Sequence, residues 1–310
     1  MTYDEYARSG LILAERVRSF VDPRLLRRDI EHGRLVRIRR GAYVGADRWN
    51  ASTPREKHVF LIRAVLAVSP RATVIAGESA AALWGMPIAG PWPDYVTVLA
   101  PWAGGGRSGY GVRRITAERS TAATAEVRGI TVTDQPRTCF DIARHLDFAV
   151  AIGSVDWLLS PRNPAPITTV HLRDALEAMN PRSGGQHLRR LVEFATPLSG
   201  SFGESEARAA MHLLGFAAPQ LQREFRDDVG TMVVDFYWPG VKRVVEFDGK
   251  VKYTREIYTK GDPNQVAWAE KKREDRLVRL GVGVTRILTE HVKKPNVLER
   301  ILLESGIPRA

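Results

Sequence analysis

Met232-Val233-Val234-Asp235-Phe236 and Arg243-Val244-Val245-Glu246-Phe247-Asp248-Gly249-Lys250 decide the fold of the last third of the chain. Both runs are apolar and rich in valine, and Pro239-Gly240 lies between them, which predicts two strands joined by a turn. Each run nevertheless carries acidic residues. Because an unpaired carboxylate is costly inside a sheet, acids on two neighbouring apolar strands indicate a functional site.

The spacing of these acids predicts that they cluster. Glu246 and Asp248 are two residues apart on one strand, so they point to the same face of the sheet. A hairpin pairing brings Asp235 beside Glu246. Clustered carboxylates repel one another unless a cation neutralises them, and hard oxygen ligands of this kind suit Mg²⁺ or Mn²⁺. Such a cation can activate water against a phosphodiester.

The flanking sequence extends the pattern into a domain. An amphipathic helix over Gly203–Leu214 places Glu204 and Arg208 on one face. A strand over Gln220–Phe225 precedes the two acidic strands. A charged helix over Asp262–Leu280 and a strand over Val282–Leu288 follow them. The predicted order is α, β, β, β, α, β.

The motif Asp235-x10-Glu246-x-Asp248, followed by Gly249-Lys250, resembles that of PD-(D/E)XK nucleases. It is most similar to the Vsr-like subgroup, whose strand ends in Glu-Phe-Asp-Gly and continues to a Lys-Tyr pair, here Lys252-Tyr253. The run from Glu270 to Leu277 and the stretch Gly203-Glu204-Ser205 are also similar to that group. The resemblance implies a restriction-endonuclease-like domain.

Roles follow from this resemblance position by position. Asp235 and Glu246 are expected to be the main metal ligands, with Glu204 as a third ligand or a neighbour of the metal. Asp248 stands where many relatives carry the lysine of the motif, so Lys250, Lys252 or Lys272 would supply the positive charge. The predicted catalytic residues are Glu204, Asp235, Glu246, Asp248 and Lys250. The alternatives are salt-bridge roles for the strand acids in an inert fold and a helix-capping role for Glu204.

The N-terminal part predicts a winged helix-turn-helix. Helical patterns over Tyr3–Glu15 and Pro23–His32 precede Leu35–Val44, which alternates apolar and basic residues and reads as a hairpin. Asp22 before Pro23 is a good helix start, and Gly33 suits the end of the helix. The run Gly33–Val44 is similar to the N-terminal domain of AbiEi-type antitoxins, which are DNA-binding autorepressors. Ser79–Gly85 and Pro136–Asp141 are similar to the middle of those proteins.

Basic residues cluster on this predicted domain and recur near the acidic strands. Arginine contacts to phosphates position a protein on DNA. The predicted DNA contacts are Arg24, Arg27, Arg28, Arg34, Arg37, Arg39, Arg40, Lys252, Lys272 and Arg276.

Composition agrees with a nucleic-acid partner. The 310 residues contain 46 Lys+Arg against 35 Asp+Glu, a net charge of +11. A surplus of this size favours a polyanion, because phosphate contacts release counterions. The single cysteine, Cys139, excludes an intramolecular disulfide and a cysteine-rich zinc site. The chain has no long apolar run and no signal-peptide pattern, so a cytoplasmic location without a membrane partner is expected.

The sequence therefore predicts an α+β multidomain protein in three parts. These are a winged helix (1–50), an α/β middle domain (51–197) and a PD-(D/E)XK nuclease-like domain (198–310). The expected function is Mg²⁺- or Mn²⁺-dependent cleavage of DNA, most naturally double-stranded, in defence or repair. The first alternative is a non-catalytic AbiEi-type repressor with a toxin as its partner. The second is a nuclease directed at RNA.

Overall fold

The computed structural model describes residues 10–17, 22–69, 73–100, 109, 111–116, 123–249 and 263–310. The chain forms two compact units, and each consists of discontinuous segments. Residues up to His145 and Val170–Arg189 make the first unit, and Leu146–Thr169 with Arg190–Ala310 make the second. Helices and several small sheets occur together, which confirms the α+β class. The three-part division at 50 and 197 stays a prediction.

The first unit opens with a three-stranded sheet. Its order is β1-β3-β2, with both pairs antiparallel. The elements of this region are β1 (Leu11–Leu13), α1 (Ala14–Val17), α2 (Pro23–Glu31), β2 (Leu35–Arg39) and β3 (Ala42–Gly45). The predicted hairpin is present as β2 and β3. The predicted helix over Tyr3–Glu15 is wrong at Leu11–Leu13, which form a strand because pairing with β3 buries Ile12 and Leu13.

Helix α2 begins and ends as its sequence predicts. The Asp22 side chain accepts a hydrogen bond from the Arg24 backbone N–H at 2.8 Å, and Pro23 follows as the first helical residue. Gly33 adopts a φ of 68°, the left-handed conformation that ends the helix. Leu26 and Ile30 pack this helix against the sheet.

The rest of the first unit packs short helices on two small two-stranded sheets. Its elements are α3 (Ala46–Ala51), α4 (Pro54–Leu66), α5 (Gly77–Trp84), β4 (Val96–Ala100), β5 (Val112–Thr116), β6 (Thr124–Val127), β7 (Ile130–Thr133), α6 (Gln135–Ala143) and α8 (Thr169–Met179). Ile75 bridges to Val98 and to Val132, so it links the two sheets within one apolar core. Cys139 on α6 is fully buried.

The second unit contains the four-stranded sheet that carries the acids. Its elements are α7 (Phe148–Leu159), α10 (Phe202–Leu213), β8 (Gln220–Arg226), β9 (Thr231–Trp238), β10 (Arg243–Asp248), α11 (Pro263–Arg279), β11 (Gly283–Leu288), α12 (Thr289–Val292) and α13 (Pro295–Glu304). Helix α9 (Gly185–Phe194) crosses the boundary between the units. From α10 to β11 the order is α, β, β, β, α, β, as predicted.

The sheet order is β11-β10-β9-β8. Strands β10 and β11 are parallel, and the other neighbouring pairs are antiparallel. Val245, Phe247 and Ile287 share a core with α10 and α13. The face that carries Glu246 meets α11 instead. The sheet is thus covered on both faces, which explains why β9 and β10 are so apolar.

Helix α7 packs against α10 within the second unit. A Cβ atom at Gly153 would overlap the ring of Phe202, so this glycine allows the two helices to approach closely. Asp156 on α7 pairs with Arg208 on α10 at 3.0 Å, and both side chains are buried. Asp156 also accepts hydrogen bonds from the Thr196 N–H and the Ser199 hydroxyl. These contacts fix the segment that leads into α10.

Within the described residues, no helix combines the length and the apolar character needed to cross a bilayer.

Candidate active site

The strand register brings Asp235 and Glu246 together. Val245 pairs with Phe236 across β10 and β9, and Glu246 and Asp235 are the residues that follow this last registered pair on the two strands. The charge of Asp235 acts on Glu246, so the two carboxylates lie near each other. On the other side of β10, Glu246 pairs with Arg286 of β11. Gln222 of β8 lies between the registered pairs Leu221↔Phe236 and Arg223↔Val234, which places it opposite Asp235. A polar row, Gln222-Asp235-Glu246-Arg286, therefore crosses all four strands.

The two acids of this row are held differently. One oxygen of Asp235, Oδ2, accepts a hydrogen bond from the Phe247 backbone N–H at 2.9 Å, which ties β9 to β10. Glu246 forms an ion pair with Arg273 of α11, at 2.6 Å between Oε1 and Nη1. The Glu246 side chain is only 14% exposed. Asp235 thus contacts the backbone, whereas Glu246 contacts a charged side chain.

Burial raises the pKa of the Glu246 carboxyl above its ordinary value, and the negative charge of Asp235 acts in the same direction. The positive charges of Arg273 and Arg286 oppose that rise. Burial and the neighbouring charge of Asp235 thus both disfavour the ionised form of Glu246. A site of this kind gains from further positive charge.

Helix α11 extends the charged network over the sheet. Arg286 donates to Glu270 at 2.8 Å and to Glu274 at 3.4 Å, one turn apart on α11. The Arg273 guanidinium also donates to the Val233 carbonyl at 2.5 Å. Acids and arginines therefore alternate between sheet and helix, and the helix is held in register over the strand acids.

Glu204 lies at the N-terminal turn of α10 and is buried. Ser201 caps this helix by accepting from the Glu204 backbone N–H at 3.1 Å. The Glu204 carboxylate accepts from the Gly200 N–H at 2.6 Å and from the Gln222 amide at 3.0 Å. Gln222 has a φ of 49°, an unusual left-handed conformation for a residue within a strand. Glu204 is therefore joined to the polar row through Gln222.

The described residues contain no group of three or more His, Cys, Asp and Glu side chains placed to hold a metal ion. Asp235 and Glu246 are neighbours, and Glu204 accepts a hydrogen bond from Gln222 of the same sheet. The predicted ligand set of Asp235, Glu246 and Glu204 stays a prediction.

The remaining predicted catalytic residues lie at the end of β10. Asp248 is half-buried and pairs in register with Leu288. By strand alternation it lies on the same face as Glu246. Lys250 and Lys252 fall outside the described residues.

Two predicted DNA contacts lie on α11. Lys272 is exposed, and its Nζ lies 4.1 Å from the centroid of the Trp268 ring. Arg276 instead grips the β8–β9 turn, with hydrogen bonds of 2.5 and 2.7 Å to Asp227 and a third to the Gly230 carbonyl. These bonds lower the pKa of Asp227 well below its usual range. The Arg276 guanidinium thus already has a structural partner.

The N-terminal arginines are mostly exposed. Arg34 pairs with Asp29 at 3.1 Å while its own side chain remains 60% exposed. Arg39 is half-buried. The exposed members on helix and hairpin are Arg24, Arg27, Arg28, Arg34, Arg37 and Arg40. Helix α2 packs against the sheet that contains the β2–β3 hairpin, so these cations lie on elements that contact each other.

Arg273 and Gln222 were not assigned roles from the sequence. Arg273 lies in the charged run from Glu270 to Leu277, where it has no feature that separates it from its basic neighbours. The only signal for Arg273 in the sequence was the helical repeat of that run, compared with the positions of the acids on the strands. Gln222 lies one strand before Asp235, and only the register shows that the two are opposite.

No protein-family model matches the chain. Two proteins of Mycobacterium tuberculosis are similar to it: "Uncharacterized protein MT2308" of strain CDC 1551 / Oshkosh and "Uncharacterized protein Rv2248" of strain ATCC 25618 / H37Rv. Each is 27% identical over 178 residues, which is 57% of this chain and 62% of the relative. The chain therefore matches less than two thirds of the length of these relatives.

Proposed function

We propose that the chain is a DNA-binding protein whose second unit is a metal-dependent endonuclease of the PD-(D/E)XK type. The observation that carries the proposal is the proximity of the Asp235 and Glu246 carboxylates, which follow the last registered pair of β9 and β10. The sheet that carries them belongs to a run of elements in the order α, β, β, β, α, β, which is the order expected for such a nuclease. The Vsr-like resemblance of the sequence around Glu246 adds independent support.

The donor chemistry of this pair fits a Mg²⁺ or Mn²⁺ ion. Mg²⁺ is commonly bound by one or two carboxylates together with waters and substrate phosphates, rather than by a cage of protein ligands. Asp235 and Glu246 would hold it, with Asp248 as a further oxygen donor on the same face. Such an ion supplies Lewis-acid activation of water and of the scissile phosphate. Because burial and the charge of Asp235 disfavour ionised Glu246, a bound cation would stabilise the pair of carboxylates.

Arg273 places a positive charge in direct contact with Glu246, and Arg286 adds a second one nearby. The Arg273 guanidinium contacts Glu246 at 2.6 Å and is carried by α11, which packs on the face of the sheet that holds Glu246. A guanidinium can donate two hydrogen bonds to a phosphate in a fixed geometry. We assign to Arg273 the stabilisation of charge on the phosphate, a role that the motif lysine has in many relatives. Lys250 remains the alternative residue for that role.

DNA recruitment is assigned to the first unit and to the overall positive charge. The exposed arginines on α2 and on the β2–β3 hairpin offer contacts to phosphates. Such contacts fix register and orientation without reading sequence. The AbiEi-like pattern of this region supports a winged-helix mode of binding.

A second function, non-catalytic repression, is favoured by one observation. Glu246 is already neutralised by Arg273, so the acidic pair is compatible with a purely structural network. In that case the chain would bind its own promoter and a toxin partner, as AbiEi-type antitoxins do. Cleavage assays separate this function from the nuclease.

The test is cleavage of supercoiled plasmid, single-stranded DNA and RNA by the wild type and by Glu246→Gln, with Mg²⁺, Mn²⁺ or EDTA. The matched control is Glu224→Gln, which makes the same change at an exposed glutamate of β8. We expect metal-dependent cleavage of DNA by the wild type and the control, and none by Glu246→Gln. DNA binding without cleavage by any of the three proteins would favour the repressor. Preferential cleavage of RNA would overturn the assignment of DNA as the substrate.

A further inference from the structure

A pocket of about 620 Å³ opens in the first unit, which does not contain the acidic strands. This volume lies within the range of small-molecule sites in proteins. The lining residues that matter here are Arg37, Trp49, Lys57, His58, Trp92 and Asp94. They come from the β2 strand, from α3 and α4, and from the loop that precedes β4. The pocket therefore combines aromatic rings with more basic than acidic groups.

One wall of the pocket is an aromatic stack that the surrounding structure fixes. The rings of His58 and Trp92 are 5.6 Å apart, with an interplanar angle of 26°. His58 is buried, and its two ring nitrogens are 3.0 Å from the Pro93 carbonyl and 3.0 Å from the Ser79 hydroxyl. Burial lowers the pKa of His58, which favours the neutral form of the ring. The imidazole serves as a support for Trp92.

The loop that carries Trp92 is itself stiff. Gly90 has a φ of 75°, and Pro91 and Pro93 flank the tryptophan on both sides. Proline fixes the backbone and removes conformational freedom. The Trp92 indole is thus pre-organised, which lowers the entropy lost when a ligand stacks on it.

The second aromatic group has a cation beside it. Trp49 of α3 is half-buried, and the Lys57 ammonium lies 5.2 Å from the centroid of its ring. Arg37, an exposed residue of β2, contributes a second positive charge to the lining. No acidic partner of Lys57 occurs among the residues that the structure describes. Asp94 is the acidic group of the lining and can accept hydrogen bonds.

We propose that this pocket binds a nucleotide. Indole rings offer stacking surfaces for a planar base, and base–aromatic stacking tolerates every base because each has a π face. Lys57 and Arg37 supply the charge for a phosphate, and Asp94 accepts from an amino group on the edge of the base. The nucleotide comes either from solution or from a nucleic-acid strand whose base is unstacked. The inference goes beyond the proposed function and does not rest on cleavage.

Titration calorimetry tests the pocket directly, with EDTA present so that nucleic acid stays intact. The probes are deoxyadenosine, deoxyadenosine monophosphate and a short single-stranded oligodeoxyadenylate. The variants are Trp92→Leu and Lys57→Gln, with Trp92→Phe as the conservative form that keeps an aromatic ring. The matched controls are Trp268→Leu and Lys294→Gln, at exposed positions of the second unit.

We expect Trp92→Leu to weaken binding of the monophosphate or the oligonucleotide about tenfold, with Trp92→Phe close to the wild type. Lys57→Gln should weaken binding of phosphate-bearing probes severalfold and leave deoxyadenosine unaffected. Binding of the monophosphate identifies a free nucleotide as the ligand, and binding of the oligonucleotide alone identifies a base within a strand. Either result supports the proposal.

Absence of binding by both phosphate-bearing probes at millimolar concentration would overturn the proposal, as would equal losses in pocket and control variants. The same titrations on Glu246→Gln keep the two hypotheses apart, because that change lies in the second unit. Nucleotide binding by Glu246→Gln is expected whether or not the wild type cleaves DNA.

Discussion

Arg273 and Glu246 form the contact that sets the properties of the acidic site. The Arg273 guanidinium, 2.6 Å from the Glu246 carboxylate, stabilises the ionised form of that group. Burial and the negative charge of Asp235 act in the other direction and raise the pKa of the Glu246 carboxyl. In the proposed nuclease the same guanidinium has two opposing effects. It competes with a divalent cation for Glu246, and it stabilises negative charge on the phosphate.

Replacement of Arg273 by alanine separates these effects. We expect the Mg²⁺ concentration for half-maximal cleavage to fall severalfold, because Glu246 loses its competing partner. The maximal rate should fall about 100-fold, as for the loss of one donor to a charged transition state. Single-turnover rates measured over a range of Mg²⁺ concentrations check both effects.

The control for this prediction is Arg279→Ala, which removes an exposed arginine from the end of the same helix. It should leave both quantities near their wild-type values. An unchanged maximal rate in Arg273→Ala would contradict the catalytic role of Arg273 and leave Lys250 as the source of charge.

The sequence predicts some of the contacts in the acidic site and not others. The adjacency of Asp235 and Glu246 follows from the length of the turn and from strand alternation, so the sequence predicts it. The contact of Arg273 with Glu246 depends on the angle and register at which α11 crosses the sheet, which no local pattern encodes. Gln222 escaped for the same reason, since its pairing opposite Asp235 is a long-range register.

At the scale of elements, the approach of α10 to β10 positions the buried Glu204. Gly203 lies on the helix, and a Cβ atom there would overlap the ring of Phe247. The ring therefore fills the space that any larger residue would need. Because Phe247 also donates its backbone N–H to Asp235, the packing of α10 is coupled to the geometry of the acidic strands.

Gly203→Ala tests this close packing. Alanine is favoured over glycine by about 1 kcal/mol in an exposed helix interior. Here we expect the opposite sign, a loss of about 1–3 kcal/mol in the free energy of unfolding, because the added methyl group overpacks the core. Urea denaturation of the wild type and the variant measures this change in the free energy of unfolding.

Gly240→Ala is the control, since a Cβ atom at Gly240 meets no atom within 4 Å. Its stability should stay within about 0.5 kcal/mol of the wild type. If Gly203→Ala were as stable as Gly240→Ala, the close contact with Phe247 would be ruled out.

Elements with strong local signals were predicted well. Asp22, Pro23 and Gly33 mark the ends of α2, and the apolar, valine-rich runs that carry the acids form β9 and β10. The prediction was wrong at Leu11–Leu13, where a short apolar run suits helix or strand equally well. Pairing with β3, thirty residues later in the chain, decides the outcome, and helical periodicity cannot report it.

At the scale of the whole molecule, the net charge of +11 predicts salt-sensitive binding to nucleic acid. Each phosphate that a protein neutralises adds about −0.9 to the slope of log K against log salt for duplex DNA. The exposed arginines of α2 are the first candidates for these contacts.

The triple variant Arg24→Ser, Arg27→Ser, Arg28→Ser tests that assignment. We expect the slope to become less steep by about 2–3, with weaker binding to every sequence alike, because phosphate contacts carry no sequence information. The control replaces Arg173, Arg189 and Arg300 by serine, three exposed arginines elsewhere. Equal losses of slope in the two triple variants would show that α2 has no special role.

The whole chain also limits what local patterns predict. The sequence predicts three consecutive parts, and that division stays a prediction. In the structure, α7 groups with the C-terminal segments and α8 with the N-terminal ones, a grouping that no local pattern reports. The buried Asp156–Arg208 pair joins residues 52 positions apart, a contact that composition shifts and linkers do not reveal.

The central claim is that the acidic pair cuts DNA with the help of a divalent cation. The most direct measurement is the single-turnover cleavage rate of duplex DNA as Mg²⁺ is varied, for the wild type and Asp235→Asn. DNA affinity in EDTA is measured in parallel. We predict Mg²⁺-dependent cleavage that Asp235→Asn reduces at least about 100-fold, with DNA affinity in EDTA no weaker than that of the wild type. Tight DNA binding by both proteins, with no Mg²⁺-dependent cleavage by either, would contradict the nuclease and favour the repressor.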